Sequence, residues 1–288
     1  MREIIKNCFT YESCHIIPCR FGEELHGFKA MAGRMAVREH IIIHVKTKDE
    51  AECVARANSS GKGRMMTMGP EGVFIHADRT HVPYAYDMMP VPGMYIDGLC
   101  NDMELFRRIA ETGCRDVVAG GFTSPDTYKA LCGEAGICPG LWGCAVPDGT
   151  LYPPQAWVLY RCSAIRDDMY RQDMCPGLIA VQKPQNIDEI IKAYALGANY
   201  VMLDMEDIIG LYHVNVRTGH TGSVMASGHA DADKCKPELN EAVTDKITDF
   251  LDRYIDMLTG RVQEAVRICG FNDLTEMCGQ CDVALTNI

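Results

Sequence analysis

Short β-branched runs alternate with amphipathic helical stretches along most of this chain, and that alternation restricts its fold more than any other feature. HIIIHV (40–45) predicts a strand and TKDEAECVARANSS (47–60) the helix after it, with Thr47 placed as the N-cap. GRMMTMG (63–69) and GMYIDG (93–98) predict further strands, the second leading into a helix over NDMELFRRIAETG (101–113). RDVVAGG (115–121) reads as a strand, and SPDTYKALCG (124–133) as a helix capped by Ser124 with Pro125 in its first turn. LIAV (178–181), NIDEIIKAYALGA (186–198) and NYVMLDM (199–205) repeat the unit. Consecutive parallel strands must be joined by a long crossover, usually a helix, so a βα repeat implies a parallel sheet.

Such a sheet is either open and doubly wound or closed into a barrel. No GxGxxG follows the first strand, and turn residues gather at the strand C-terminal ends, where barrel enzymes build their sites. The expectation is one (β/α)8 barrel of TIM type over residues 1–288, with a long C-terminal helix at VTDKITDFLDRYIDMLTGRVQEAVRICG (243–270). LYHVNVRTGHTGSVMASGHADADKCKP (211–237) follows neither period and is rich in Gly, His and Thr, which predicts a flap. Arg217 is its candidate cation and His220 its candidate acid or base.

With 47% apolar and 23% charged residues, a chain of 288 can bury one large core. Its formal charge of −11 excludes a general nucleic-acid binder, which needs clustered Lys and Arg. Neither a signal-peptide core nor an apolar run of about 18 residues occurs, so a cytoplasmic protein without membrane contact is expected. Fifteen cysteines without an export signal read as reduced thiols and not as a disulfide framework. CGQC (278–281) has no second CxxC or HxxxH partner, so no structural metal is expected.

GICPGLWGCAVPDGTLYPPQ (136–155) reads as a loop that holds Cys138 and Cys144 among glycines and prolines. On residue type alone, each cysteine is either a small hydrophobe in a tight loop or a thiolate activated by loop amides.

Several segments together resemble the IMP dehydrogenase/GMP reductase family. FTYESCHIIPCR resembles that family's LTFDDVLLVPxRS opening, ALGANYVML (195–203) its ALGADAVMLG strand, and GRVQEAVRICGFNDLTEM (260–277) its GGLRSxxxYxGAxxLxEL end. The stretch at 136–155 resembles the catalytic loop GIGPGSxCTTRxxTGVGxPQ. The length is closer to the reductase branch. The resemblance implies a purine-nucleotide oxidoreductase that uses NADP(H) or NAD(H) and assembles as a homotetramer. Counting back from Pro154 and Gln155 puts the family's nucleophile at Cys144, whose thiolate would add to C2 of the purine and form a thioimidate. Asp97 and Gly120 match cofactor positions, and Gly136, Cys138 and Gly140 match the loop whose backbone carbonyls hold K+. Gly140, Lys183, Asp204 and Glu206 fall at substrate positions.

The departures cluster where the family holds its nucleotide. Ala145 and Val146 replace two threonines, and the ribose–phosphate turn IADGG reads Ile179 to Lys183. The second phosphate turn, VMLGG, becomes Val201 to Met205, with Asp204 in the first glycine position and Glu206 and Asp207 behind it. Glycines expose backbone N–H groups to an anion, whereas carboxylates repel it. Few residues separate Gly133 from the 136–155 stretch, and LHGFKAMAGRMA (25–36) compresses a family strand, so a shortened or distorted barrel is expected. Alternatives to the oxidoreductase are a non-catalytic family member that binds a nucleotide or partner protein, and an enzyme acting on a purine without the usual phosphate site.

Overall fold

The computed structural model describes residues 10–16, 37–68, 74–77, 93–96, 116–119, 125–126, 128–130, 141–146, 154–170, 177–217, 241–280 and 285–286. Its strands are β1 (His15–Ile16), β2 (Ile41–His44), β3 (Met66–Met68), β4 (Phe74–Ala77), β5 (Gly93–Ile96), β6 (Asp116–Ala119), β7 (Leu141–Val146), β8 (Gly177–Gln182), β9 (Tyr200–Asp204) and β10 (Leu285–Thr286). The described helices are α1 (Lys48–Asn58), α2 (Gln155–Tyr170), α3 (Ile187–Ala195), α4 (Met205–Arg217), α5 (Glu241–Ile268) and α6 (Leu274–Met277). Strands β2 to β9 pair in parallel in sequence order, and β9 pairs back onto β2 to close the barrel. The two short outer strands β1 and β10 pair antiparallel, His15 opposite Thr286.

Alternation along the strands divides the core in two. Ile42, Met68, Ile179 and Met202 form one buried cluster, joined by Met66, Val181 and Tyr200, and fill the barrel. Their neighbours Ile41, Ile43, Leu178, Ala180, Val201 and Leu203 belong to a larger cluster shared with the helices. Strands β2, β8 and β9 are thus buried on both faces, which is why they read as apolar runs with little alternation.

Local chemistry explains the helix boundaries. Thr47 Oγ1 accepts the Glu50 amide at 3.3 Å, as its N-cap position requires, and the Glu50 carboxylate accepts the Lys46 amide at 2.6 Å. Cys53, Val54 and Ala57 then bury one face of α1, which packs on α5. Helix α3 ends in a Schellman turn: the Ala198 amide donates to Ala193 O and the Gly197 amide to Tyr194 O. Gly197 has φ +113°, and a Cβ there would strike Ser163. The N-terminal segment is tied to α2 and α3, where the Tyr11 hydroxyl donates to Gln155 Oε1 at 2.6 Å and Lys192 Nζ to Tyr11 O at 2.9 Å.

Three expectations change. Leu141–Val146, read as part of a loop, is barrel strand β7. Those residues supply the strand that seemed missing after Gly133, so the barrel closes; the irregularity is a register shift between Val117 and Val118. Residues 211–217, read as the start of a flap, complete helix α4, so Arg217 ends a helix. The rest of the flap, with His220, and the helix expected at 101–113 lie outside the described residues.

Candidate active site

In a parallel barrel every strand delivers its C-terminal end to the same rim, and side chains one step above the last core layer face the mouth. His44 follows Ile42 on the inner face of β2, and Asp204 follows Met202 on the inner face of β9. The two residues are register partners across the strand pair that closes the barrel. Two residues past His44, Lys46 reaches the same place, and α4 begins directly after β9 with Glu206 and Asp207 in its first turn.

These side chains form a connected series in which Asp204 joins His44 to Lys46 and Lys46 joins Asp204 to Glu206. His44 Nδ1 lies 3.2 Å from Asp204 Oδ2, Lys46 Nζ 3.2 Å from the same oxygen, and Lys46 Nζ 2.7 Å from Glu206 Oε2. The other Asp204 oxygen, Oδ1, accepts the Glu206 amide at 2.8 Å. The chain's own carboxylate therefore takes the place at the α4 N-terminus that an external anion would seek.

The electrostatics fix most of the charges. Burial opposes ionisation of Asp204, but hydrogen bonds from His44 and the Glu206 amide, with the Lys46 charge, outweigh it and hold the carboxyl below the usual carboxylate range. Partial burial acts to lower Lys46, yet Glu206 and Asp204 raise it, so it is a fixed cation and not an amine nucleophile. Burial raises Glu50 against its backbone hydrogen bonds, and the Asp204 and Glu206 charges raise it further. Asp207 is raised by burial and by Asp204, with Lys183 and Lys46 acting in opposition. An ionised carboxylate only accepts hydrogen bonds, so Nδ1 of His44 carries the proton shared with Asp204.

Of the sequence-derived site residues, Lys183, Asp204 and Glu206 stand together on this rim. Lys183 is exposed at the end of β8, beside the carboxylates of α4. Cys144 lies inside β7, two residues before the strand ends, paired in register with Ala119 and Leu178. Asp97, Gly120, Gly136, Cys138, Gly140 and His220 lie outside the described residues. His44 and Lys46 escaped the sequence reading as site residues. Their signal was a strand that ends in His and Lys, but only closure of the barrel brings it to the strand that ends in Asp204. Among the described residues, no group of three or more His, Cys, Asp or Glu side chains is arranged to hold a metal ion.

Two other recesses are of a different kind. A groove of about 1060 Å³ runs outside the barrel along residues 184–189, Leu211 and the end of α5, where Arg261 pairs with Glu264. A smaller one of about 200 Å³ lies by His40, Asn199 and Cys278, where Arg166 donates to Gly197 O at 2.6 Å and to Asn199 Oδ1 at 2.8 Å. Those bonds tie α2 to the entry of β9 and are structural.

No family model matches the chain, and no curated protein matches it. Among solved structures it is similar to GMP reductase from Trypanosoma brucei in complex with guanosine 5'-triphosphate, at 16% identity and TM-score 0.50, over 78% of this chain and 47% of that one. The chain thus spans about half the length of that reductase. It is also similar to a mandelate oxidase mutant with the C4a-OH-FMN adduct, at 11% identity and TM-score 0.58, over 94% of this chain and 87% of that one. At such identities the likeness is one of fold. No described helix is long and apolar enough to cross a membrane.

Proposed function

We propose that the protein is a barrel oxidoreductase of the IMP dehydrogenase/GMP reductase type, acting on a purine-type ligand at the mouth of the barrel. The observation that carries this reading is the convergence of His44, Lys46, Asp204 and Glu206 on the C-terminal rim of a closed parallel barrel. The fold likeness to GMP reductase supports it. In this reading Cys144 adds to C2 of the purine, and NADP(H) or NAD(H) supplies or accepts the hydride when bound. The nicotinamide cofactor, a K+ ion at the 136–140 loop and a tetrameric assembly enter through the sequence resemblance alone.

The residues present restrict the ligand. Asp204 accepts an amide of the α4 N-terminus and pairs with Lys46, so a carboxylate stands where a phosphate would be bound and repels it. The ligand is therefore a purine base or nucleoside, or a nucleotide whose phosphate sits away from this turn. The test measures oxidation or reduction of the nicotinamide with a panel of purine bases, nucleosides and monophosphates. Turnover that disappears in Cys144→Ala supports the reading; turnover unchanged in that variant removes the thioimidate.

A second reading, a non-catalytic binding protein, is favoured by the place of Cys144 within strand β7 and not in a loop. A thermal-shift panel separates the two. A ligand that raises the midpoint without any turnover under the same conditions selects binding alone.

A further inference from the structure

Helix α5 joins the two strands that flank the barrel closure. In the order β8–β9–β2 the closing strand β9 lies between its neighbours, and α5 makes side-chain hydrogen bonds on both sides of it. On the β8 side the buried Tyr254 hydroxyl donates to Pro184 O at 2.8 Å, two residues past the strand. On the β2 side Arg38, three residues before the strand, directs Nη2 to Asp252 Oδ1 at 2.6 Å, to Asp256 Oδ1 at 3.0 Å and to Asp252 O at 3.3 Å. Lys62, from the turn after α1, places Nζ 2.6 Å from Asp252 Oδ2 and 2.5 Å from Asp256 Oδ2. The long helix is thus a strap from the entry of the first barrel strand to the exit of the seventh.

The two ends of the strap differ in kind. Burial pushes the Tyr254 hydroxyl above its ordinary range, so that end keeps its proton and its bond as pH changes. The Arg38 end depends on charge. Its guanidinium is 1% exposed and Nε and Nη1 are buried without a partner, so Asp252 and Asp256 are its counter-charges among the described residues. Burial opposes ionisation of Asp252, but Lys62 and Arg38 hold its carboxyl below its ordinary value. The groups that face the two carboxylates are Arg38, Lys62 and the Ser60 hydroxyl, which lies 3.3 Å from Asp252 Oδ1. Elsewhere, Arg253 of α5 donates to Asp249 O, and Arg56 of α1 pairs with Glu52 and Asp245. Among the described residues no side chain of α3, α4 or α6 bonds to Asp252 or Asp256.

We propose that the Arg38–Asp252 contact is an acid-sensitive latch on this strap: a proton taken up by the Asp252 carboxylate leaves Arg38 an under-compensated buried cation and frees α5 and segment 37–45 together, while β8 stays folded. A carboxyl depressed in the closed form stabilises that form fully above the open-form value of about 4, and ceases to do so as pH falls through the closed-form value. Between the two values the opening constant rises by about tenfold per pH unit, the slope of one linked proton. His44 stands on the freed segment, so opening separates it from Asp204 and dismantles the rim. The latch acts whichever ligand the mouth takes.

Amide hydrogen exchange on the full chain, read by mass spectrometry between about pH 7 and about pH 3 and corrected for intrinsic rates, tests the latch without any ligand. In the wild type, α5 and segment 37–45 should lose protection together, by about tenfold or more, at a pH where β8 keeps its own. Asp252→Asn should be about tenfold or more open already at neutral pH, and its opening should rise on acidification with one linked proton fewer. Arg38→Met removes the buried charge together with its need for a counter-ion, so it should keep α5 protected at neutral pH and flatten the acid response; it carries the test where Asp252→Asn does not fold. Loss of protection in α5, segment 37–45 and β8 in a single transition overturns the proposal, and so does acid opening in Arg38→Met as steep as that of wild type. Circular dichroism at neutral pH establishes that each variant is folded.

Discussion

Replacing Asp204 by Asn removes one charge from the rim and keeps the shape of the turn, because the amide oxygen of Asn can still accept the Glu206 amide as Asp204 Oδ1 does. Two unit charges about 4 Å apart interact by ~4 kcal/mol at an effective dielectric near 20. Asp204 is 28% exposed, so solvent screening reduces this by about half, to ~2 kcal/mol for each phosphate charge. A phosphate carries a charge of about −1.5 to −2, so the relief amounts to ~3–4 kcal/mol, or about 140- to 700-fold in affinity. The assay is calorimetric titration of both proteins with a purine 5'-monophosphate and its matched nucleoside at low salt. The monophosphate should gain that factor in Asp204→Asn while the nucleoside changes little, and the gain should shrink as salt is raised. An equal monophosphate-to-nucleoside ratio in the two proteins, or no binding by either, refutes the view that Asp204 stands against phosphate.

Further outcomes concern the frame of the site. Gly197→Ala forces a side chain into φ +113° and against Ser163, and should cost about 3 kcal/mol, read as a lower denaturant midpoint with an unchanged slope. Thr47→Ala deletes the acceptor for the Glu50 amide and should cost about 1 kcal/mol in the same assay, with Thr47→Ser close to wild type. Burial opposes ionisation of Asp252, but Lys62 at 2.6 Å and the buried Arg38 at 2.6 Å hold its carboxyl below its ordinary value. A depressed carboxyl contributes stability above its unfolded pKa of about 4 and loses it as pH falls through the folded value, so Asp252→Asn should flatten the acid limb of stability against pH. An acid limb as steep as that of wild type would show that other carboxylates set it.

The alternation of strands and helices was legible because β2, β8 and β9 are short apolar runs and α1, α3 and α5 keep a clear apolar face. Helix α2 was not, since Ala156, Val158, Leu159, Cys162 and Arg166 are all buried and its apolar residues surround the axis. Strand β7 was hidden by the glycines and prolines beside it, which mark LWGCAV as a loop until its partners β6 and β8 are in place. In α4 the sequence YHVN carries residues of low helix propensity, but burial of Met205, Ile208 and Ile209 anchors the helix that runs on to Arg217. At the site, Asp204 and Glu206 were visible as intruders in a glycine turn. Their partners His44 and Lys46 were not, because nothing local connects residues this far apart.

His44 and Asp204 are 160 residues apart in sequence and meet only at the seam where the first and last barrel strands join. Contacts of such long range are closed late and slowly in folding, after local units have formed. The two rim residues are thus brought together by the step that completes the barrel. Neither half of the chain contains the pair, so a fragment or a stalled folding intermediate carries the separate residues without the site. Assembly of this rim and closure of the barrel become one event.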